Sequence, residues 1–450
     1  MRILIVLAVA LIVTALAPPA RAQDAAELRR ELEQMRRNFE ALQKEHQKSM
    51  EALAERLRRL ESQPPAPAPV ATQTPPSTMD LLRPRQPFTL SQQRGTGQLL
   101  FDIGIAGDFV GNLTQRNVDK AGAGTFRGRE NRFFPREVEL SLFGQIDPYA
   151  RGEVRIEMGE EARGQETAVS LAEAHLTLLT LPFNTQLKMG QMRTRYGWSN
   201  QLHEHDLPWI DRPAVYRYFF GEEGLIEKGF EATWVPGLPF YLEVLGGVFN
   251  GDNETAFGRG RIREPLVTGR LRTFFELTDE HALQVGLSVA SGRTAERQRN
   301  TLPGFDVRYK FRPEGWLHPL LTVGGEGIWS IRRREVTRDI DIPDDTFTRI
   351  PDDTFTRFGW YAYAEVQPFR RWAGGLRYDY TELLDRGRER AFEPYVTFWP
   401  SEFLRFRLAY RLTERTQDAG FSANSASARH VDELLFQATF ILGAHPAHQF

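Results

Sequence analysis

A chain of 450 residues with 57 Lys plus Arg against 59 Asp plus Glu is close to electroneutral, which excludes a protein that grips nucleic acid through a basic surface. It contains no cysteine, so neither a disulfide framework nor a thiolate metal site can be built from it. Only six of the 57 cations are Lys, and the other 51 are Arg, whose planar fork grips oxyanions but whose abundance alone identifies no ligand.

Arg2 precedes an apolar run from Ile3 to Leu16, and Ala20-Arg21-Ala22 sets small residues where a signal peptidase reads them. Residues 1–22 are therefore expected to be a cleaved signal peptide. No later segment approaches the roughly 18 apolar residues that a spanning helix needs. Residues 23–63 read as a periplasmic coiled coil. Leu28, Leu32, Met35, Phe39 and Leu42 repeat at the alternating spacing of a heptad seam, which Leu53 and Leu60 resume. Glu27, Arg30, Glu31 and Arg37 occupy the wet faces. So narrow a stripe has little to bury alone, so self-association is expected. Residues 64–97 are a linker, kept extended by Pro64, Pro65, Pro67, Pro69, Pro75, Pro76, Pro84 and Pro87.

From residue 98 to 450 the hydrophobic period changes to two. Val138, Leu140 and Leu142 alternate with Glu137, Glu139 and Ser141, and Val154, Ile156 and Met158 alternate with Glu153, Arg155 and Glu157. A soluble sandwich also alternates, so the connections decide. Sixteen segments begin near residues 98, 132, 150, 169, 185, 228, 239, 268, 282, 304, 320, 358, 373, 391, 402 and 432. Short turns follow most even segments, such as Asp147-Pro148-Tyr149. Long loops follow most odd ones, such as Thr194 to Glu227. Short turns on one rim and long loops on the other are how outer-membrane barrels are built, and an even count returns both termini to the short-turn side. The last segment sets Leu434, Phe436, Ala438, Phe440 and Leu442 on one face ahead of the terminal Phe450, which resembles the end of such a barrel. The expected fold is an all-β membrane protein: a sixteen-stranded antiparallel transmembrane β-barrel in the lipid of the bacterial outer membrane, with an N-terminal α-helical coiled coil. A perfect tandem octapeptide, IPDDTFTR at 342–349 and again at 350–357, falls in an expected external loop, where duplications are tolerated.

The text FPREVELSLFGQIDPYARGEVRIE, then VSLAEAHLTL, KMGQMRTRYG and LGGVFNGD, resembles the phosphate-selective porin O/P family over roughly residues 98 to 270. That resemblance implies a homotrimer passing small polar or anionic solutes, phosphate among them. Its third loop, here Thr194 to Glu227, would fold into the pore as the constriction. The cations expected to contact solute are Arg151, Arg155, Arg193, Arg195 and Arg217. The stretch His203-Glu204-His205-Asp206 resembles a subset described as zinc-regulated outer-membrane proteins. His203 and His205 are accordingly candidate metal ligands, because imidazole and carboxylate suit zinc. Inward charges of both signs leave a general polar pore as open as an anion path. The alternatives are metal-linked transport and an envelope tether that touches the cell wall through the coil. No cofactor, nucleic-acid partner or catalytic residue is expected; His175 lies near Ser170 without an elbow motif or a third partner.

Overall fold

The computed structural model describes residues 101–114, 126, 129–160, 167–334, 353–384, 387–416 and 429–443, together with a two-residue ladder of Gln93–Arg94 and Gly97–Gln98. The expected signal peptide, coil and terminal Phe450, nearly all of the linker, and the first copy of the octapeptide lie outside the described residues. The second copy enters a strand from Asp353 onward.

Sixteen strands form one closed antiparallel barrel. In chain order they are β1 (Phe101–Thr114), β2 (Arg132–Asp147), β3 (Ala150–Glu160), β4 (Thr167–Leu181), β5 (Thr185–Arg193), β6 (Ile226–Trp234), β7 (Tyr241–Phe249) and β8 (Leu266–Glu276). There follow β9 (His281–Arg293), β10 (Arg299–Phe311), β11 (Leu321–Arg334), β12 (Asp353–Phe369), β13 (Trp372–Glu382), β14 (Arg388–Ser401), β15 (Leu404–Thr416) and β16 (Arg429–Gly443). Each pairs with its sequence neighbour, and β16 closes on β1 from Glu433↔Thr114 to Gly443↔Gly104. Closure matters because an open edge would leave a row of unpaired amides and carbonyls. All sixteen expected strands are present, and the turn after β2 is as short as its Asp-Pro-Tyr text requires.

Side chains separate cleanly by parity. Leu287 on β9 pairs with Leu271 on one side and Phe305 on the other, and all three are exposed outward. Leu408 and Phe436 make another outward pair. Near the short-turn rim Trp372 stacks on Phe398 with ring centroids 4.4 Å apart, as an interfacial aromatic belt requires. A continuous apolar exterior on a closed barrel is the surface of a protein that spans a bilayer. The opposite parity points inward and is charged: Glu139, Arg270, Asp306, Glu326, Arg377, Asp379, Glu393 and Arg407 are all buried within the lumen.

Two bulges break this alternation where it counts. In the β1–β2 register Asp108 faces Glu137 and Phe109 faces Pro135, so Arg136 is the extra residue and both Arg136 and Glu137 turn inward. In the β3–β4 register Arg155 faces Glu173 and Ile156 faces Leu171, so Ala172 is extra and Glu173 joins the lumen.

Candidate functional site: a loop folded across the lumen

The connection between β5 and β6, residues 194–225, folds into the barrel and crosses it. The prolines keep it from forming one long helix. It contains the turns Ser199–Gln201 and Glu204–Asp206 and one helix, α1 (Ala214–Phe220), which starts after Pro213 and ends at Gly221 with φ 94°. Asn200 staples its base: the amide donates to the carbonyls of Thr194 (2.9 Å) and Leu225 (3.0 Å), and Oδ1 accepts the Leu225 N–H (2.8 Å). Buried Arg212 donates to the carbonyls of Ser199 (3.2 Å) and Leu202 (2.6 Å). Trp198, Leu207, Trp209, Tyr216, Phe219 and Phe220 form an apolar core against Phe249, Leu302, Ile328 and Tyr361 of the wall. Inside a wet barrel such a core holds the loop by burial as well as by polar contacts.

Three polar anchors tie the loop to the wall. The first is Glu326 on β11. Its carboxylate accepts the backbone N–H groups of Trp198 (3.1 Å) and Ser199 (2.7 Å) and the hydroxyls of Tyr216 (2.5 Å) and Tyr361 (2.6 Å). Burial and the Glu326 charge raise the Tyr216 hydroxyl well above its ordinary pKa, so it stays a donor. Gly197 sits against the same carboxylate at φ 63°, where a Cβ would collide with Glu326 and with the Tyr216 hydroxyl.

The second anchor is Asp211. It pairs with Arg377 on β13 (2.7 Å) and Arg411 on β15 (2.6 Å), and Arg217 of α1 lies 3.5 Å away. Burial opposes the Asp211 charge, but Arg411, Arg377 and Arg217 hold it well below the usual carboxylate range. In a ring of sixteen, β13 is eight places from β5, so the loop reaches the opposite wall.

The third anchor is His203. Its Nδ1 lies 2.8 Å from Glu139 Oε2 and 3.3 Å from Glu157 Oε1, and its Nε2 lies 2.9 Å from Glu173 Oε1. His205 is 3.2 Å from Glu137 and 3.3 Å from Asp206, and the two imidazole centroids are 5.8 Å apart. Burial, Arg193 and Arg155 work against a charge on His203, yet the carboxylates raise it well above the ordinary imidazole value. His205 reaches about 9, with burial opposed by Asp206 and Glu137. Burial pushes Glu204 up to about 8, with Arg136 opposing and Glu223 assisting.

Cavities of opposite character lie on the two sides of this third anchor. On the long-loop side one of about 440 Å³ is lined by Glu137, Glu157, Glu160, Glu204, Glu222 and Glu223, with Arg129 and Arg136 among them. On the short-turn side one of about 380 Å³ is lined by Arg151, Arg155, Lys188, Arg193, Arg195 and Arg272, with Glu153, Glu173 and His175. A further cavity of about 770 Å³ follows at the short-turn end and shares Gln186, Thr233, Leu179 and Arg272 with the second.

The five arginines singled out from the sequence all fall at or beside this crossing but differ in freedom. Arg155 is buried between Glu139 (3.2 Å) and Glu153 (2.7 Å), Arg193 between Glu157 (3.4 Å) and Glu223 (3.1 Å), and Arg217 between Asp211 and Glu389 (3.5 Å each). Arg195 is partly open and bridges Glu231 (2.6 Å) and Glu243 (3.3 Å). Arg151 has 42% of its side chain exposed and only a 3.8 Å approach to Glu153. His205 lies in the turn Glu204–Asp206 and His203 precedes it with extended backbone, and both reach the acidic wall of β2 and its neighbours. The anchors Glu326, Arg377 and Arg411 were not singled out as site residues. Their inward parity was legible, but nothing local marks a partner more than a hundred residues away.

No family model matches the chain. A protein of Aquifex aeolicus (strain VF5), described as uncharacterized, is 29% identical over 346 residues, 69% of each chain. Among solved structures, the outer membrane channel DcaP of Acinetobacter baumannii aligns with a TM-score of 0.51 at 9% identity, covering 77% of this chain and 97% of that one. An anion-selective porin from Comamonas acidovorans aligns at 0.49 and 10% identity (76% and 98%), and OmpF of Salmonella typhi at 0.46 and 14% (77% and 98%). At such identity the likeness to DcaP is one of fold.

Proposed function

We propose that the protein is a passive outer-membrane channel, without catalytic activity, for small polar and anionic solutes, and that the loop crossing at residues 194–225 sets its selectivity. The observation that carries this reading is the cavity on the short-turn side of the loop. Six cationic side chains against two carboxylates line it, and Arg151, Lys188, Arg195 and Arg272 stay within reach of a passing solute. Fixed cations around a narrow low-dielectric passage concentrate anions and exclude like charge. Guanidinium forks match carboxylate and phosphate oxyanions, so phosphate belongs to the class that such a wall would take. The acidic vestibule on the other side would admit cations as readily, which favours a transverse and axial sorting of charge over a pure anion filter.

Single-channel conductance in a planar bilayer, with the reversal potential under a salt gradient, tests it. Wild-type protein is expected to conduct with mild anion preference, and Arg151→Glu to move the reversal potential toward cations with the barrel intact. A purified, folded protein that never conducts would sink the channel reading.

A further inference from the structure

We propose that the space bounded by His203 Nδ1 and the carboxylates of Glu137, Glu139 and Glu157 binds one divalent transition-metal ion of the zinc class. One ligand atom from each of these four residues lies within 4.8 Å of the others. Bonds of about 2.0 Å to a tetrahedral ion put ligand atoms about 3.3 Å apart. The separations of 2.8 Å from Nδ1 to Glu139 Oε2 and 3.3 Å from Nδ1 to Glu157 Oε1 already approach that spacing.

The contact to Glu139 is what distinguishes a ligand set from an ion pair. Its Oε2 is completely buried and lies 2.8 Å from the imidazole nitrogen, yet receives no hydrogen bond. A carboxylate oxygen and a ring nitrogen this close, off the line of a hydrogen bond, are placed as two ligands of one cation would be. The other carboxylate oxygen, Oε1, is occupied by Arg155 (3.2 Å) and Ser141 (2.5 Å), which leaves Oε2 to the cluster.

The imidazole is also oriented for this task. Nε2 faces Glu173 Oε1 at 2.9 Å, and a carboxylate accepting from one ring nitrogen turns the other toward a metal. Glu173 is placed by the bulge at Ala172, and its Oε2 accepts the backbone N–H of Arg193 (3.0 Å). On its far side lies His175, whose buried side chain makes no hydrogen bond through either ring nitrogen; its Nε2 is 3.6 Å from Glu173 Oε2. Glu139 and Glu157 are directly opposed on β2 and β3, so rigid strands set their spacing. Glu137 and Glu157 line the 440 Å³ cavity, which gives an ion a way in from the long-loop side. One imidazole with carboxylates suits borderline ions such as zinc, rather than the all-oxygen sets of calcium or the sulfur sets of copper(I).

The test uses untagged full-length protein in detergent, stripped with a chelator and equilibrated with Zn²⁺, with bound metal counted per chain and Co²⁺ absorption as a second readout. One zinc per chain is expected. His203→Ala should weaken binding at least about 100-fold and Glu157→Gln at least about tenfold, the range over which support of a metal site is felt. His281→Ala, which removes an imidazole bonded to Tyr309 away from the site, should leave binding unchanged. Heat-modifiable electrophoretic mobility verifies that each variant keeps a closed barrel. If His203→Ala fails to fold, Glu157→Gln decides, because it leaves His203 with Glu139 and Glu173. Absence of zinc from the wild-type protein would overturn the proposal, as would wild-type affinity in folded His203→Ala, or in Glu157→Gln. Conductance plays no part in this readout, so the site and the channel reading stand or fall separately.

Discussion

Asp211 shows how one side chain can fix the geometry of a passage without touching what passes. It sits between Arg377 and Arg411, both fully buried and both also served by Glu393, with Asp379 beside them. Taking one partner from a buried pair leaves uncompensated charge, so Asp211→Asn is expected to weaken loop docking by about 3 kcal/mol. Limited proteolysis of residues 194–225 in the folded barrel measures the release. The acid dependence follows from the direction of its shift. The folded pKa of Asp211 is depressed, so the anchor's contribution is complete above an unfolded value of about 3.9. It is lost only as pH falls through the lower folded value. Loop protection should therefore be the same at pH 7 and at about pH 4, and a loop already freed at about pH 5 would show that the arginine clamp is absent.

At the scale of elements, the anchors act as a set. Glu326 accepts four hydrogen bonds, two of them from backbone amides that only a proline in the loop would remove. Glu326→Gln keeps the shape, but its amide group can accept at only one atom, so part of that donor set is left unmet in a buried site at a cost of about 1–3 kcal/mol per donor. Noisier and larger single-channel openings are expected, with the barrel's own thermal stability nearly unchanged.

Much of this element was legible in the sequence. Parity gave the inward charges, and the length of 194–227 together with a family likeness gave the inward loop. The bulge at Ala172 was not legible, because no turn residue marks it, and Pro135 is the one local sign of the bulge at Arg136. Strict alternation would have put Arg136 on the lipid face. Nor was the pairing of His203 with three carboxylates legible, since Glu139, Glu157 and Glu173 come from three strands far from the loop in sequence, with a bulge between the last two. The apolar filling around Trp209 was missed for a related reason: its aromatics look like ordinary loop residues until the far wall is in place.

At the scale of the molecule, the barrel lives by its exterior. Leu287 lies at the middle of β9 with Leu271 and Phe305 on either side, all facing outward. A cation at that depth is expected to cost about 2–4 kcal/mol, so Leu287→Arg should lower the denaturant midpoint of bilayer-reconstituted protein. A surface that met water or another polar environment would tolerate the change. Sixteen strands, short turns and the apolar exterior were all readable because lipid imposes them uniformly along the chain. The interior was readable only in outline because each contact there is a single long-range event.

The crossing loop also imposes an order on assembly. It leaves the wall after β5, yet the partners of two of its three anchors lie 110 residues on at Glu326, 166 at Arg377 and 200 at Arg411. Those residues do not exist as a surface until β11, β13 and β15 have been added to the growing sheet. Contacts at such separation form slowly, since a long stretch of chain must be ordered before any of them is gained. The His203 end of the loop can settle on β2, β3 and β4 at once, but its other two anchors must wait while two thirds of the wall is laid down, and the far end is sealed in as the last strands close the ring. A nascent barrel of this kind passes through a wide-bore stage that the finished molecule never revisits.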